Sequence, residues 1–204
     1  MKRICVFCGS SPGAKPEYLD TARQLGQALM QHKLGLVYGG ARVGIMGEIA
    51  KTVHELHGEV IGVIPRELFQ KEVAFTGLSD LRVVETMHER KALMAELADG
   101  FIALPGGLGT IEEFFEVLTW GQLNFHQKPC GLLNVAHYYD RMLDFLDVML
   151  EQQFIDLDHR RMVLVEEKPE TLLERFAGYQ PPQSDKAAWA LNLTYGKKEG
   201  HDSQ

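Results

Sequence analysis

The stretch Leu104-Pro105-Gly106-Gly107-Leu108-Gly109-Thr110-Ile111-Glu112-Glu113 decides how the rest of the chain is read. It follows an apolar run, Gly100 to Leu104, of the length of a buried strand. It leads into Thr110 to Leu118, whose apolar residues at 111, 114, 115 and 118 recur at the spacing of a helix with one buried face. Between strand and helix lie three glycines. Glycine lets a ligand approach the main chain closely, and the first helical turn offers unpaired N–H groups at the positive end of the helix dipole. This is an anion site, most simply for a phosphate. At about 100° per residue, Glu113 is expected to lie away from the stripe of Ile111, Phe114, Phe115 and Leu118, on a face shared with Thr110, Val117 and Trp120. Glu112 falls at the edge of the stripe, where an acid in a first turn favours the dipole.

Outward from this stretch, strand and helix alternate. Before it, the pattern predicts strands at Arg3–Cys8, Leu34–Tyr38, Glu59–Ile64 and Leu81–Val84, with helices at Pro16–Gln31, from the Gly39–Gly47 loop through Leu56, and at Met87–Leu97. After it come a strand at Pro129–Asn134, a helix at Tyr138–Glu151 with Tyr139, Met142, Leu146 and Met149 inward, a strand at Met162–Val165 and a helix at Pro169–Phe176. Arg66 to Ser79 has no clear period and reads as a long loop or a short helix, the kind of connection that is usually functional. Repeated strand–helix units with apolar strands imply an α/β fold, one Rossmann-like, doubly wound domain over residues 1–178 with a mostly parallel sheet of about seven strands. Residues 179–204 turn polar and are expected to form a mobile tail. Ligands of such sheets bind at the carboxyl ends of the strands, so the Ser10-Ser11 loop, the glycine loop after Tyr38, the residues after Val84 and the Pro105–Thr110 loop should line one crevice.

Composition narrows the partners. The chain has 204 residues, 45% hydrophobic and 24% charged, with a net charge of -7, which argues against non-specific binding to nucleic acid or an anionic membrane. No run of residues has the roughly 18 apolar positions of a membrane span, and the N-terminus enters a strand pattern, so a cytoplasmic location is expected. Three cysteines fit a reducing compartment. Cys5 and Cys8, three apart along a strand, emerge on opposite faces and are read as small buried hydrophobes. His54 and His57 have no third ligand at a familiar spacing, so no metal is expected. Neither glycine loop has the spacing of the dinucleotide fingerprint or the Lys-Ser/Thr ending of a P-loop. A nucleoside monophosphate held by glycine amides and Thr110 is the better physical reading, with no cofactor.

Pro105-Gly106-Gly107-x-Gly109-Thr110-x-x-Glu113, preceded by Met87-His88-x-Arg90-Lys91, resembles the signature of the Lonely Guy family of cytokinin-activating phosphoribohydrolases. The resemblance extends to Phe7-Cys8-Gly9-Ser10-Ser11, Tyr38-Gly39-Gly40 with Gly44 and Met46-Gly47, Thr119-Trp120 and Gly131-Leu132-Leu133-Asn134. It implies hydrolysis of the N-glycosidic bond of an adenosine 5'-monophosphate, often N6-substituted, to free base and ribose 5-phosphate. It also implies Arg90 and Glu113 as catalytic residues, and substrate binding by Glu72, Arg90, Lys91, Gly106, Gly107, Leu108, Gly109, Thr110, Ile111, Glu112 and Thr119. Ser10 and Gly40 are added on position alone. Lys91 lies about 100° from Arg90 around a helix, so the two reach one ligand only through their long stems. Ala41 stands where relatives often carry a third glycine, and Leu108 replaces a common aromatic. Members have been labelled lysine decarboxylases, but no lysine here has a setting that suggests a pyridoxal phosphate Schiff base. Family members form homodimers, and the Glu113, Val117 and Trp120 face is the surface expected to be covered by a second subunit at a shared site. Plain AMP as the substrate of a salvage nucleosidase, and a non-catalytic nucleotide carrier or sensor of the same fold, are the alternative functions.

Overall fold

The computed structural model describes residues 1–71, 74–182 and 186–195. Seven strands, β1 (Arg3–Phe7), β2 (Gly35–Tyr38), β3 (Val60–Pro65), β4 (Asp80–Val84), β5 (Gly100–Ala103), β6 (Cys130–Leu133) and β7 (Val163–Glu166), form one sheet in the order β4-β3-β2-β1-β5-β6-β7. Every neighbouring pair is parallel. The helices in chain order are α1 (Pro16–Gln31), α2 (Gly44–Glu55), α3 (Arg66–Gln70), α4 (Met87–Leu97), α5 (Leu108–Gln122), α6 (Asp140–Glu151), α7 (Leu157–Arg161), α8 (Pro169–Ala177) and α9 (Lys186–Tyr195).

Alternation along the strands splits the core into two layers, as expected for a sheet covered on both faces. Ile4, Val6, Leu36, Tyr38 and Ile102 point to α1, α2 and α8, where Leu25, Leu29, Ile49, Val53 and Phe176 meet them. Cys5, Phe7, Val37, Phe101 and Ala103 point to the other side, against Met94 of α4, Phe114 and Val117 of α5, and Leu146 of α6. Cys5 and Cys8 accordingly belong to opposite layers. Burial pushes both thiols well up, so they pack as neutral side chains.

The chain winds outward from β1 to β4 and then returns to place β5 on the other side of β1. Connections therefore diverge from the carboxyl ends of β1 and β5, and this switch point opens the crevice where such folds bind ligands. The two loops that leave it are tied together: the Gly9 N–H donates to the Pro105 carbonyl at 3.1 Å. The loop after β2 closes the same rim, where the Met46 N–H donates to the Gly9 carbonyl at 3.2 Å.

Several expectations are corrected. The helix after β5 begins at Leu108, two residues earlier than the apolar spacing suggested, because Gly107 takes the extended cap position. Its most buried residues are Thr110, Glu113, Phe114, Val117 and Gly121. Ile111, Phe115, Leu118 and Trp120 pack only at the margin of that layer, and Glu112 is exposed. Counting apolar residues rotated the helix wrongly, since its inward side meets a polar cavity at one end. On the Glu113, Val117 and Trp120 face, Glu113 and Val117 are covered by the chain's own core, and Trp120 is partly buried against it. Residues 66–79 hold α3, and Ala74 bridges antiparallel to Ala41. Between Leu133 and α6 there is a 3-10 turn, Val135–His137, and α6 begins at Asp140, two residues after the start the pattern gave. The stretch read as a polar tail contains α9, built on the helix-favouring run Lys186-Ala187-Ala188-Trp189-Ala190-Leu191.

Gly44 opens α2 at φ +62°, and a Cβ there would lie 2.3 Å from the carbonyl carbon of Ser10. Both the left-handed backbone and the contact exclude a side chain. Gly44→Ala should lower unfolding free energy by at least about 1–2 kcal/mol, measured by the denaturant midpoint, and should displace the Ser10 loop.

Candidate active site at the carboxyl edge of the sheet

A cavity of about 530 Å³ opens over the ends of β1, β2, β3 and β5. Its lining joins Cys8, Gly9, Ser10, Gly107, Leu108, Gly109 and Thr110 to the apolar side chains of Val43, Met46, Ile64, Leu68 and Met87. The lining is therefore part backbone and hydroxyl, part apolar side chain. Positions where Cβ atoms of Gly107 and Gly109 would stand have nothing within 4 Å, which leaves room for a ligand against the main chain. Leu108 is 90% exposed at the rim.

Arg90 and Glu113 line the same cavity. The start of α4 is fixed by Thr86, whose Oγ1 accepts from the Glu89 N–H at 3.1 Å, while Glu89 Oε2 accepts from the Glu85 N–H at 2.9 Å. This variant of a capping box sets the first turn, and Arg90 follows it directed inward. Its Nε donates to the Val63 carbonyl at 3.1 Å, and its Nη1 donates to Glu113 Oε1 at 2.5 Å. The pair is almost wholly enclosed: Arg90 is 6% and Glu113 4% exposed. Burial raises the Glu113 carboxyl above its ordinary value, against the pull of the Arg90 guanidinium, which lowers it. Sequence reasoning had not explained Gly39. A Cβ at that position would stand 2.1 Å from Arg90 Nη2, so the glycine after β2 clears the path of the guanidinium.

The other candidates divide. Ser10, Gly107, Leu108, Gly109, Thr110 and Glu112 border the cavity with Arg90 and Glu113. Gly106 lies behind the loop, where a Cβ would strike Thr110 Oγ1. Gly40 packs against Ile64 and Leu81, and its carbonyl accepts from the Phe75 N–H at 2.9 Å, so Gly39 faces the cavity in its place. Ile111 packs with the core layer below α5. Lys91 turns away from Arg90 to bond Glu112 Oε1 at 2.5 Å and Glu116 Oε1 at 3.0 Å. Thr119 is exposed within α5, beside Phe115, Gln122 and Met149, apart from the Glu113 cavity. Glu72 lies outside the described residues. Of the apolar lining, Ile64 lies near the end of β3, and Met46, Leu68 and Met87 sit in the first turns of α2, α3 and α4, where single apolar residues look like core.

Removing the guanidinium tests this geometry. Arg90→Ala strands a buried carboxylate, a loss of about 3–5 kcal/mol in unfolding free energy at neutral pH. A carboxyl whose folded pKa exceeds its unfolded one binds more protons when folded, so stability falls as pH rises from the unfolded value through the folded one. The penalty measured by denaturant unfolding should accordingly be larger at pH 8 than at pH 5.

A protein-family model described as "Possible lysine decarboxylase" matches residues 46–176. A "Probable cytokinin riboside 5'-monophosphate phosphoribohydrolase" of Oryza sativa subsp. japonica is 47% identical over 95% of this chain and 78% of the relative. A "Cytokinin riboside 5'-monophosphate phosphoribohydrolase" of Arabidopsis thaliana is 47% identical over 88% of this chain and 83% of its own. Among solved structures, a molybdenum cofactor binding protein from Rippkaea orientalis superposes with a TM-score of 0.64 at 25% identity, covering 87% of this chain and 97% of that one. The molybdenum cofactor carrier protein of Chlamydomonas reinhardtii shares the fold, with a TM-score of 0.64 at 20% identity over 87% of this chain and 99% of its own. The decarboxylase description does not fit the residues present. No lysine among the described residues lines the cavity, and hydrogen bonding to Glu112 raises the Lys91 pKa, the reverse of what a Schiff-base amine needs. Through the motifs that build this cavity and the relatives that match nearly its whole length, the chain belongs to the Lonely Guy family.

Proposed function

We propose that the protein is a phosphoribohydrolase that cleaves the N-glycosidic bond of adenosine 5'-monophosphates, N6-substituted ones included, to free base and ribose 5-phosphate. The observation that carries this reading is a buried, arginine-held carboxylate in the same cavity as the amides that open α5. The names of the relatives support the same activity.

The chemistry follows from the arrangement. The 5'-phosphate meets the amides around Gly107 and Gly109 and the Thr110 hydroxyl, where the helix dipole favours an anion. The base lies against the apolar side chains of Met46, Ile64, Leu68 and Met87, which also suits an apolar N6 substituent. The ribose then lies over Glu113. As the C1'–N9 bond lengthens, its electron pair moves to the base and the sugar gains oxocarbenium character, which the Glu113 carboxylate stabilises. Water attacks C1', and Glu113 accepts its proton. The departing base takes up one proton, which balances the hydrolysis. Arg90 does not supply it, because a guanidinium is too weak an acid. It holds Glu113 in one orientation.

A second copy of the chain is the partner this reading expects, and exposed Phe125, Phe154 and Leu157 provide apolar surface for it. Plain AMP and an N6-isopentenyl analogue are both expected to be turned over.

Release of ribose 5-phosphate from each nucleotide, without added metal, tests the assignment. Glu113→Gln should lose at least about 100-fold in kcat while still binding nucleotide, the size expected for an acid–base group. A wild type that binds nucleotide and releases no ribose 5-phosphate would make the protein a carrier.

A further inference from the structure

The turn that precedes α5 is held by its carbonyls. Leu104 O accepts from the Tyr139 hydroxyl at 2.7 Å, Pro105 O from the Gly9 N–H at 3.1 Å, and Gly106 O from the Tyr138 hydroxyl at 2.6 Å. Three consecutive carbonyls are thus each held by a different donor. In a planar trans peptide the N–H points opposite to the C=O, so each of these bonds also sets the direction of the following nitrogen. Gly106 O is joined in one peptide plane to the Gly107 N–H, and Gly107 borders the cavity.

That peptide is flanked by glycine on both sides. With no Cβ on either residue its rotation meets little steric resistance, and the flipped form would aim a carbonyl dipole at a bound anion. A donor on Gly106 O is what distinguishes the two orientations. The tyrosine that supplies it is itself held with some strain: Ala136 and His137, the two residues before it, both have left-handed φ, at +50° and +61°. Non-glycine residues hold that conformation only where their surroundings impose it. Here Asn134 does so, accepting from the Tyr139 N–H at 2.8 Å and donating to Asp140 Oδ1 at 2.7 Å, while its own N–H donates to the Glu166 carbonyl at 2.8 Å. The Tyr138 ring meets Tyr18 and Tyr139 edge-on, with centroids 5.8 and 5.0 Å away.

We propose that Tyr138 is a positioning residue for phosphate recognition: its hydroxyl locks the Gly106–Gly107 peptide with the Gly107 N–H toward the ligand. The ring is 43% exposed, so its packing matters little to the core, whereas its hydroxyl acts on one peptide of the phosphate loop. Tyr139, buried in the core layer, fixes the preceding carbonyl and has a structural task besides. This assignment rests on the reading of the loop as the 5'-phosphate site.

Tyr138→Phe keeps the ring and its edge contacts and removes only the donor. Titration calorimetry with ribose 5-phosphate and, separately, with adenine is the test. The variant should bind ribose 5-phosphate about tenfold more weakly, the equivalent of one hydrogen bond, with adenine affinity and the unfolding midpoint unchanged. Unchanged affinity for ribose 5-phosphate overturns the proposal. Equal losses for both ligands, or a lowered midpoint that accompanies the loss, overturn it too, because Tyr138 would then support the fold and not the loop. The measurement needs no turnover: a wild type that binds ribose 5-phosphate but releases no base defeats the hydrolase reading and leaves the Tyr138 assignment standing.

Discussion

The buried ion pair between Arg90 and Glu113 is the constraint to which the rest of the site answers. Taking two charges out of water costs several kcal/mol each, roughly, and their attraction recovers this only when the geometry is tight and the remaining hydrogen-bonding groups are satisfied. The fold meets that demand from four elements. β3 offers the Val63 carbonyl to Arg90 Nε, the end of β2 offers a glycine in place of a side chain, the cap of α4 fixes the turn that carries the arginine, and α5 brings the carboxylate. Such a pair is a poor source of stability, and its place in the lining of a cavity is better explained by chemistry. In a site with little water, a fixed carboxylate acts on a developing positive charge far more strongly than it would in solvent.

The parallel sheet makes this pair useful. Because the strand order reverses between β1 and β5, the loops after them part, and the amino end of α5 enters the gap. The same helix then carries two functions one turn apart. Its first residues, Leu108 to Thr110, offer the amides and hydroxyl of the proposed phosphate site, and Glu113 follows three residues after Thr110, about 4.5 Å further along the axis. A single helix therefore sets the spacing between that proposed site and the carboxylate, and the loop before it is held by its three bonded carbonyls.

Much of this was legible in the residues. Pro16 at the start of α1 and the apolar strand runs placed those elements to within a residue or so, and their alternation gave the parallel sheet. The glycine loop and its helix pointed to an anion, and the Arg90–Glu113 juxtaposition was anticipated from the family resemblance. What the sequence hid was three-dimensional. The inward face of α5 was misjudged because hydrophobic periodicity assumes an apolar interior, while Thr110 and Glu113 are buried beside a polar cavity. The need for Gly39 comes from a guanidinium that reaches it from another helix. Lys91, expected to reach the substrate, is paired with two carboxylates of α5, a pairing that spacing along α4 does not reveal. The short helix α7 lacks the length over which a helical period can be read, and α9 buries no residue that would mark an inward face.

The most direct test of the account is the pH profile of kcat/KM for hydrolysis of AMP by the wild-type protein. Glu113 must be ionised to stabilise the sugar cation and to take a proton from water, and burial holds its pKa above the usual carboxylate value of 4.5. The rate should fall on the acid side with an apparent pKa above that value, with a slope of one proton. A profile that stays flat down to about pH 4, or an acid limb at the ordinary carboxylate pKa, would contradict the claim that this buried carboxylate carries the reaction.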